Sequence, residues 1–371
     1  MPSCLFPPPR ATQRSASTGV VKPSALRYLT KSILLVAVSV AICSVLYPLT
    51  LWLVGQTLFP DQANGSLVRG PDGNVVGSRL IAQPFTKPEY FWPRPSAVSY
   101  AAGASGASNF AASNYTLRAR VAGLLGPLVK YHGGPKAGQP VASDIEAWFQ
   151  QDQYQGQPHI VAQWADAHSS LAQAWVKADP SHAAYVDAWA AAHQPAVAQW
   201  IKDNPDTPQP AAADLAVIFF DSCSNDHPGQ FPSAVSHEIN GKTETTIEPV
   251  KEGTDIQSTF FDMWRQEHAD ADLEEVPADM VMASGSGLDP HITLDNALYQ
   301  LDRVAAQWAK DTNQDPASVR AAIKTLIEQK TTAPGGGVFG PKVINVLELN
   351  LALRARYGRP GGPLEAVFRQ G

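Results

Sequence analysis

Residues 32–60 read SILLVAVSVAICSVLYPLTLWLVGQTLFP, 29 residues without a formal charge. At ~1.5 Å rise per residue, about 20 apolar residues cross the ~30 Å hydrocarbon core of a bilayer, so the run spans with residues to spare. A cleaved signal peptide is the competing reading, because basic residues precede the run. Signal h-regions are only ~7–15 residues long, and no A-x-A-like site follows, which favours an uncleaved anchor. Pro48 predicts a kink, tolerated where a neighbouring group takes up the freed carbonyl. Trp52 suits an interfacial position, and Ser39, Ser44 and Thr50 suit docking to other helices.

Working outward, Arg10, Arg14, Lys22, Arg27 and Lys31 precede the span with no acid among them. Asp61, Arg69, Asp72 and Arg79 follow it. Excess Lys and Arg mark the cytoplasmic side, so the N-terminus is expected inside and everything after Pro60 outside. The whole chain has 371 residues, 44% hydrophobic and 17% charged, which excludes a wholly disordered polypeptide and suggests two or three domains. Its 27 Gly and 31 Pro fit loop-rich globular structure. A net charge of −6 with no dense Lys/Arg run argues against nucleic acid as a partner. Cys4, Cys43 and Cys223 are far apart and form no CxxC, so neither a disulfide framework nor a zinc site is expected.

After the span, Ser66-Leu67-Val68 and Val75-Val76-Gly77 flank Asp72-Gly73 and predict a hairpin. The segment YFWPRPSAVSYAAGASGASN, 90–109, mixes aromatics with small residues and is expected to pack over a neighbouring surface. Between 125 and 275 the composition shifts to 22 acids against 7 bases and holds six of the nine tryptophans. Within it, 161–180 (VAQWADAHSSLAQAWVKADP) aligns with 186–205 (VDAWAAAHQPAVAQWIKDNP), agreeing at eight of twenty positions. Tryptophans eleven apart in each copy predict a helix with both on one face, and two copies predict a helical pair. AVIFFDS and TETTIEPV suggest strands, and Glu267–Glu275 reads as a solvated helix face. Further on, Thr293 is a predicted cap for a helix presenting Leu294, Ala297, Leu298, Leu301, Val304, Ala305 and Trp308 along one face. Asp315-Pro316 opens another helix with Val319, Ala322, Ile323, Leu326 and Ile327 as its stripe. The run VINVLELNLALRARYG, 343–358, is ambiguous by period; its arginines and Gly358 favour helix.

Chemical motifs are weak. In ASGSGLDPH, 283–291, Ser, Asp and His fall close together, but a nucleophile elbow needs G-x-S-x-G and triad partners normally converge from separate elements. A glycine-rich turn, with Asp289 and His291 bonding backbone, is the preferred reading. Gly335–Lys342 resembles a phosphate loop only superficially, since Pro341 precedes the lysine and no Ser/Thr follows it. His237-Glu238 lacks the second histidine of HExxH, and the histidines show no metal-ligand spacing, so no catalytic residue and no metal site is assigned. Asn64-Gly65-Ser66 and Asn114-Tyr115-Thr116 are sequons.

Two sets of strings carry a resemblance. YPLTLWLVGQTLFPDQANGSLV, DGNVVGSRLIAQPFTKPEYFWPRPSAVSY and ASGASN, within 28–125, come first. VPADMVMASGSGLDPHI, ALYQLDRVA and VINVLELNLAL, within 276–357, come second. Together and in order they resemble the KdpC family, an accessory component of the bacterial Kdp potassium-transporting ATPase, over about half the chain. The resemblance implies an inner-membrane protein with one N-terminal helix. Its partners would be a channel-like potassium-binding subunit and a P-type ATPase subunit. The implied role is non-catalytic: assisting assembly and, as a catalytic chaperone, raising the ATP affinity of the ATPase subunit. It implies no tightly bound cofactor, but an ATP contact at Gln300. Beside this stands the residue's own reading, a helix side chain bonding locally.

The expected fold is α+β: a single N-terminal transmembrane helix, then an extracytoplasmic α+β domain carrying an α-rich insertion. The expected organisation is a basic cytoplasmic N-terminus at 1–31, a span at 32–60, a first KdpC-like part at 61–124, an acidic Trp-rich insertion at 125–275 and a second KdpC-like part at 276–371. The insertion is expected to leave and return at nearby points. A membrane-anchored hydrolase using Ser284 or Ser286, and an envelope-binding module built on the insertion, are the rival functions.

Overall fold

The computed structural model describes residues 25–70, 73–151, 159–239, 242–338 and 340–358. Arg10, Arg14, Lys22 and Cys4 of the basic N-terminus, Asp72 of the hairpin and Phe339 lie outside the described residues. The chain divides into two compact units, Met1–Leu67 and Val68–Gly371.

The first unit is helical. α1 (Ala25–Val40) continues through a π turn (Ala41–Leu46) into α2 (Tyr47–Leu58), with a short α3 (Pro60–Ala63) after it. From Arg27 to Leu58 the helix is 32 residues, long and apolar enough to cross a membrane. The anticipated irregularity at Pro48 takes a definite form. Pro48 has no N–H to give back to the preceding turn. The helix widens just before it, and the Tyr47 N–H reaches the Ile42 carbonyl five residues back. Thr50 Oγ1 donates to the Leu46 carbonyl at 2.7 Å, and Thr57 Oγ1 to that of Leu53 at 2.7 Å, so these hydroxyls are satisfied within the helix.

The second unit holds two hydrophobic cores. β1 (Leu67–Arg69) and β2 (Val75–Ser78) pair as the expected hairpin, with Gly73 at φ 80° in its turn. The segment 85–92 then lays Phe85, Tyr90 and Phe91 into the first core. That core is completed by a strand–helix pair from each end of the C-terminal region. β5 (His291–Thr293) leads into α13 (Leu294–Thr312), and β6 (Val343–Asn345) leads into α15 (Val346–Tyr357). β5 and β6 pair antiparallel, Ile292 opposite Ile344, both buried. α13 (Leu294–Thr312) starts at the Thr293 cap, whose hydroxyl accepts the Asn296 N–H at 3.1 Å. α14 (Pro316–Lys330) starts at Asp315, which accepts the Ser318 N–H at 2.8 Å. Both caps are as expected. Leu298, placed on the apolar face by period, is instead exposed. The run 343–358 is not one helix: Val343–Asn345 pairs with β5, and Asn345 caps α15 (Val346–Tyr357) by accepting the Glu348 N–H. The edge offered by β5 decides those three residues.

The second core is built by α4 (Tyr115–Leu125), α5 (Ala142–Gln151), α6 (Ile160–Ala167), α7 (Ser169–Ala178), α8 (Pro180–Ala192), α9 (Gln194–Asp203), α10 (Ala216–Asp226), the hairpin β3 (Phe231–Ile239) with β4 (Lys242–Val250), and α11 (Thr254–Glu267). Its centre is aromatic. Trp164 meets Phe220 edge-on with centroids 5.2 Å apart, Phe231 stacks on Phe220 at 5.7 Å, and Phe149 lies 4.6 Å from Phe260. The two ends of this region meet where the Glu274 N–H donates to the Lys130 carbonyl at 2.8 Å, and Tyr131 bridges Leu273.

Three expectations are corrected here. AVIFFDS is not a strand but the start of α10, because Ala216, Phe219, Phe220, Cys223 and Ser224 all reach the interior at helical spacing. Two adjacent buried phenylalanines fit one helix face, whereas a strand would point them to opposite sides. TETTIEPV does form a strand, within β4. Each repeat copy is two helices rather than one, α6–α7 and α8–α9, broken at His168 and His193. The His193 Nδ1 sits 2.9 Å from the Trp189 carbonyl and its ring stacks on Trp189, ending the helix there. Glu267–Glu275 is not a helix face, since α11 stops at Glu267 and the rest is irregular chain. α12 (Ala278–Val281) follows it.

Candidate functional site

Gln300 lies on α13, one turn after Asn296 and one strip away from Leu301, Val304 and Trp308. Polar residues on such a strip must find partners. Gln300 is 3% exposed and all its polar capacity is used. Its Oε1 accepts the Trp92 N–H at 2.8 Å and an Arg303 Nη2–H at 2.6 Å. Its Nε2 donates to the Trp92 carbonyl at 3.1 Å and to Asn296 Oδ1 at 2.6 Å. A carboxamide has two acceptor and two donor positions, and four bonds fill them. A nucleotide contact from this amide would displace at least one.

A second carboxamide does the same one residue earlier. Asn350 of α15, also buried, accepts the Phe91 N–H at 2.9 Å and donates to the Phe91 carbonyl at 2.9 Å. The backbone of Phe91–Trp92 is thus held between two helices as a strand would be held between two strands. Arg303 closes the arrangement. Its guanidinium lies 3.7 Å over the Trp92 ring, and Nη1 donates to the carbonyls of Pro88 (2.6 Å) and Tyr90 (3.1 Å). Burial pulls its pKa down to about 10, still charged at neutral pH. Asn350 and Arg303 carried no expectation from sequence. Their one signal is a polar or charged residue inside an apolar helical pattern.

Beside this clamp lies a cavity of about 490 Å³, lined by Trp92, Pro95, Tyr100, Leu124, Met280 and Gln300 among others. It is mainly apolar, and burial raises the Tyr100 hydroxyl to about 12, so this phenol stays neutral. A more open groove of about 560 Å³ is lined by Arg94, Glu275, Asp279, Met282, Thr293 and Asp295. Here Asp279 is committed to holding the start of α13, accepting the Thr293 N–H (2.8 Å) and hydroxyl (3.0 Å).

Ser284 and Ser286 belong to a tight turn sewn to 95–106. The Ser284 N–H donates to the Pro95 carbonyl, Ser96 Oγ donates to the Gly287 carbonyl at 2.6 Å, and the Gly106 N–H donates to the Ser286 carbonyl. Gly287 has φ 69°, and a Cβ there would meet Val98 Cγ2 at 2.7 Å and the Gly106 carbonyl at 2.9 Å. The Ser286 hydroxyl accepts the Leu288 N–H, while His291 Nδ1 lies 3.1 Å from Asp289. Neither contact joins a serine to a histidine. The His291 hydrogen bond, assisted by Arg94, holds the Asp289 carboxyl below its ordinary value against the opposing effect of burial. Among the described residues no group of three or more His, Cys, Asp or Glu is placed to hold a metal ion.

Fold and site together define a class: a mixed helix-and-strand protein with an N-terminal helix long enough to cross a membrane, in which the buried amides of Gln300 and Asn350 hold backbone. A family model described as K+-transporting ATPase, c chain (KdpC), matches residues 29–147 and 242–355, and the chain belongs to this family. Residues 148–241 are unmatched, a stretch inside the compositionally distinct 125–275. Similar proteins named Potassium-transporting ATPase KdpC subunit occur in several bacteria. That of Parvibaculum lavamentivorans is 53% identical over 78 residues, covering 21% of this chain and 42% of the relative. That of Caulobacter vibrioides is 57% identical over 77 residues (20% and 39%), and that of Pseudomonas putida W619 is 45% identical over 108 (29% and 59%). The chain spans about half the length of the curated relatives it matches.

Proposed function

We propose that this chain is the non-catalytic accessory subunit of an ATP-driven potassium uptake complex, binding a channel-like subunit and a P-type ATPase subunit in the bacterial inner membrane. The observation that carries this is the family match on both sides of the unmatched stretch, with both matched parts contributing to one core through Phe91, Ile292, Leu301 and Leu353. The helix from Arg27 to Leu58 serves as a single membrane anchor, N-terminus in the cytoplasm, with the later residues outside; the cation bias of Lys31 and its predecessors supports that orientation. Support for the ATPase subunit, including a rise in its ATP affinity, acts through protein contact. Gln300 serves as a positioning residue for Trp92, since its amide bonds are all internal.

Co-expression with a P-type ATPase and a channel-like subunit tests this directly. The three are expected to co-purify, and potassium-dependent ATP hydrolysis is expected to persist when Ser284 and Ser286 are both replaced by alanine. Protease added to spheroplasts is expected to degrade the part after residue 60. ATPase activity from the chain purified alone, or its failure to bind the other two, would overturn the reading.

A further inference from the structure

α8 and α10 enclose a cavity of about 240 Å³ lined by Tyr185, Trp189, Phe219, His193, Asp226 and His227, with Cys223 and Ala188 completing it. All of these residues fall within the 148–241 stretch that the family model leaves unmatched. Phe219 is buried, and the half-buried rings of Tyr185 and Trp189 stand across it. Their centroids are 5.9 Å and 5.7 Å from that of Phe219, with interplanar angles of 90° and 80°. Trp189 is braced by the stacked His193 ring, 5.0 Å away. Its Nε1 donates to Ser222 Oγ at 3.0 Å, and Ser222 Oγ donates to Asp226 Oδ2 at 3.3 Å, tying the ring to the carboxylate beside the cavity. Among the described residues, no Lys or Arg lines the space.

These features select one ligand chemistry. Aromatic faces attract cations through the ring quadrupole, most strongly when the cation is weakly hydrated and gives up its water readily. An exposed carboxylate at the opening supplies the opposite charge. Metal binding fits poorly, because among the described residues no three His, Cys, Asp or Glu side chains converge to hold an ion. A primary ammonium needs several convergent acceptors, and of the lining residues Asp226 alone carries a carboxylate, the rest of the wall being dominated by aromatic rings. We propose that the α8–α10 cavity is an aromatic cage for a quaternary ammonium group, with Tyr185, Trp189 and Phe219 as its walls and Asp226 as its counter-charge. Such a group reaches the cage either as a free solute or as a lipid headgroup. The net excess of acid over base in 125–275 steers cations toward this part of the chain, within the ~8 Å reach that physiological salt allows.

The test uses the full chain in dodecyl maltoside, a detergent without an ammonium group, with 5-fluorotryptophan incorporated so that Trp189 is followed by its fluorine resonance. Titration with choline is expected to shift that resonance saturably, while 3,3-dimethyl-1-butanol, its neutral carbon isostere, binds at least about tenfold more weakly. Potassium chloride at equal concentration is expected to leave the resonance unmoved. Asp226→Asn is expected to weaken choline binding several-fold, and Trp189→Leu to abolish it by calorimetry. The choline-against-isostere comparison is made on the unaltered chain, so it stands even if a variant fails to fold. Vesicles of phosphatidylcholine, set against phosphatidylglycerol, separate the sources. A shift with the choline lipid as well as with free choline assigns a headgroup site, and a shift with free choline alone assigns a solute site; both uphold the cage. Equal binding of choline and its isostere, a matching shift with potassium, or no saturable shift at all overturns it.

Discussion

At the scale of single residues, two buried amides are spent on distant backbone. Gln300 and Asn350 each hold both polar groups of one peptide residue, Trp92 and Phe91, more than 200 positions away in the chain. A typical internal hydrogen bond contributes only about 0.5–1.5 kcal/mol, but leaving a buried partner unsatisfied costs about 1–3 kcal/mol. Gln300→Leu leaves the Trp92 N–H and carbonyl, and part of Arg303, without partners. Its expected cost is about 3–5 kcal/mol of unfolding free energy, read from urea denaturation. Leu298→Gln on the same helix, at an exposed position, is expected to stay within about 0.5 kcal/mol. A similar small effect from Gln300→Leu would show that the clamp carries little energy. Sequence reading reached Gln300 by resemblance but could not reach its bonds. Which backbone a side chain meets across such a separation depends on how α13, α15 and the 85–92 segment pack.

Among the elements, α10 is the instructive case. Its residues Val217, Ile218, Phe219 and Phe220 have the β-branched and aromatic character of a strand, yet the segment is helical. What decides is that Phe219 and Phe220 both have aromatic partners on one side: Trp175, Tyr185 and Trp189 for the first, Trp164 and Phe231 for the second. Intrinsic preferences of a few tenths of a kcal/mol per residue yield to burial worth ~1.5–3 kcal/mol per large side chain. Phe220→Ala is expected to cost about 3–5 kcal/mol and Asp221→Ala less than about 0.5 kcal/mol, measured by thermal or chemical unfolding. Comparable losses at Phe219, Phe220 and Cys223, against little loss at Asp221 and Asn225, would carry the helical period into the energetics. Helix boundaries follow a more local logic. Thr293, Asp315 and Asn345 each accept an N–H three residues on, and those of Thr293 and Asp315 were legible because a cap needs only its own next turn.

For the unit Val68–Gly371 as a whole, two cores are organised around different parts of the chain, one by the family-matched flanks and one largely by the acidic, Trp-rich region. The crossing points are close together, with the Glu274 N–H on the Lys130 carbonyl. Replacing 131–273 by a short Gly-Ser link is therefore expected to leave the first core folded, at a lower melting temperature, because α4 loses its packing on α11. Circular dichroism and the fluorescence of the remaining Trp52, Trp92 and Trp308 would follow this, with a cooperative transition expected and a non-cooperative one counting against independent cores.

By itself, the amino-acid sequence determined what depends on near neighbours. The uncharged run 32–60 makes a long apolar helix, Pro48 disturbs it, Asp315-Pro316 starts α14, and the ordered strings of 28–125 and 276–357 declare the family. Only the tertiary structure decided that AVIFFDS coils, that the Trp-containing repeats break at their histidines, that Val343–Asn345 joins β5, and that Gln300 and Asn350 grip Trp92 and Phe91. Caps and apolar runs are set within a turn or two of chain. Buried amides, paired edges and ring clusters take their energy from partners that no local window contains.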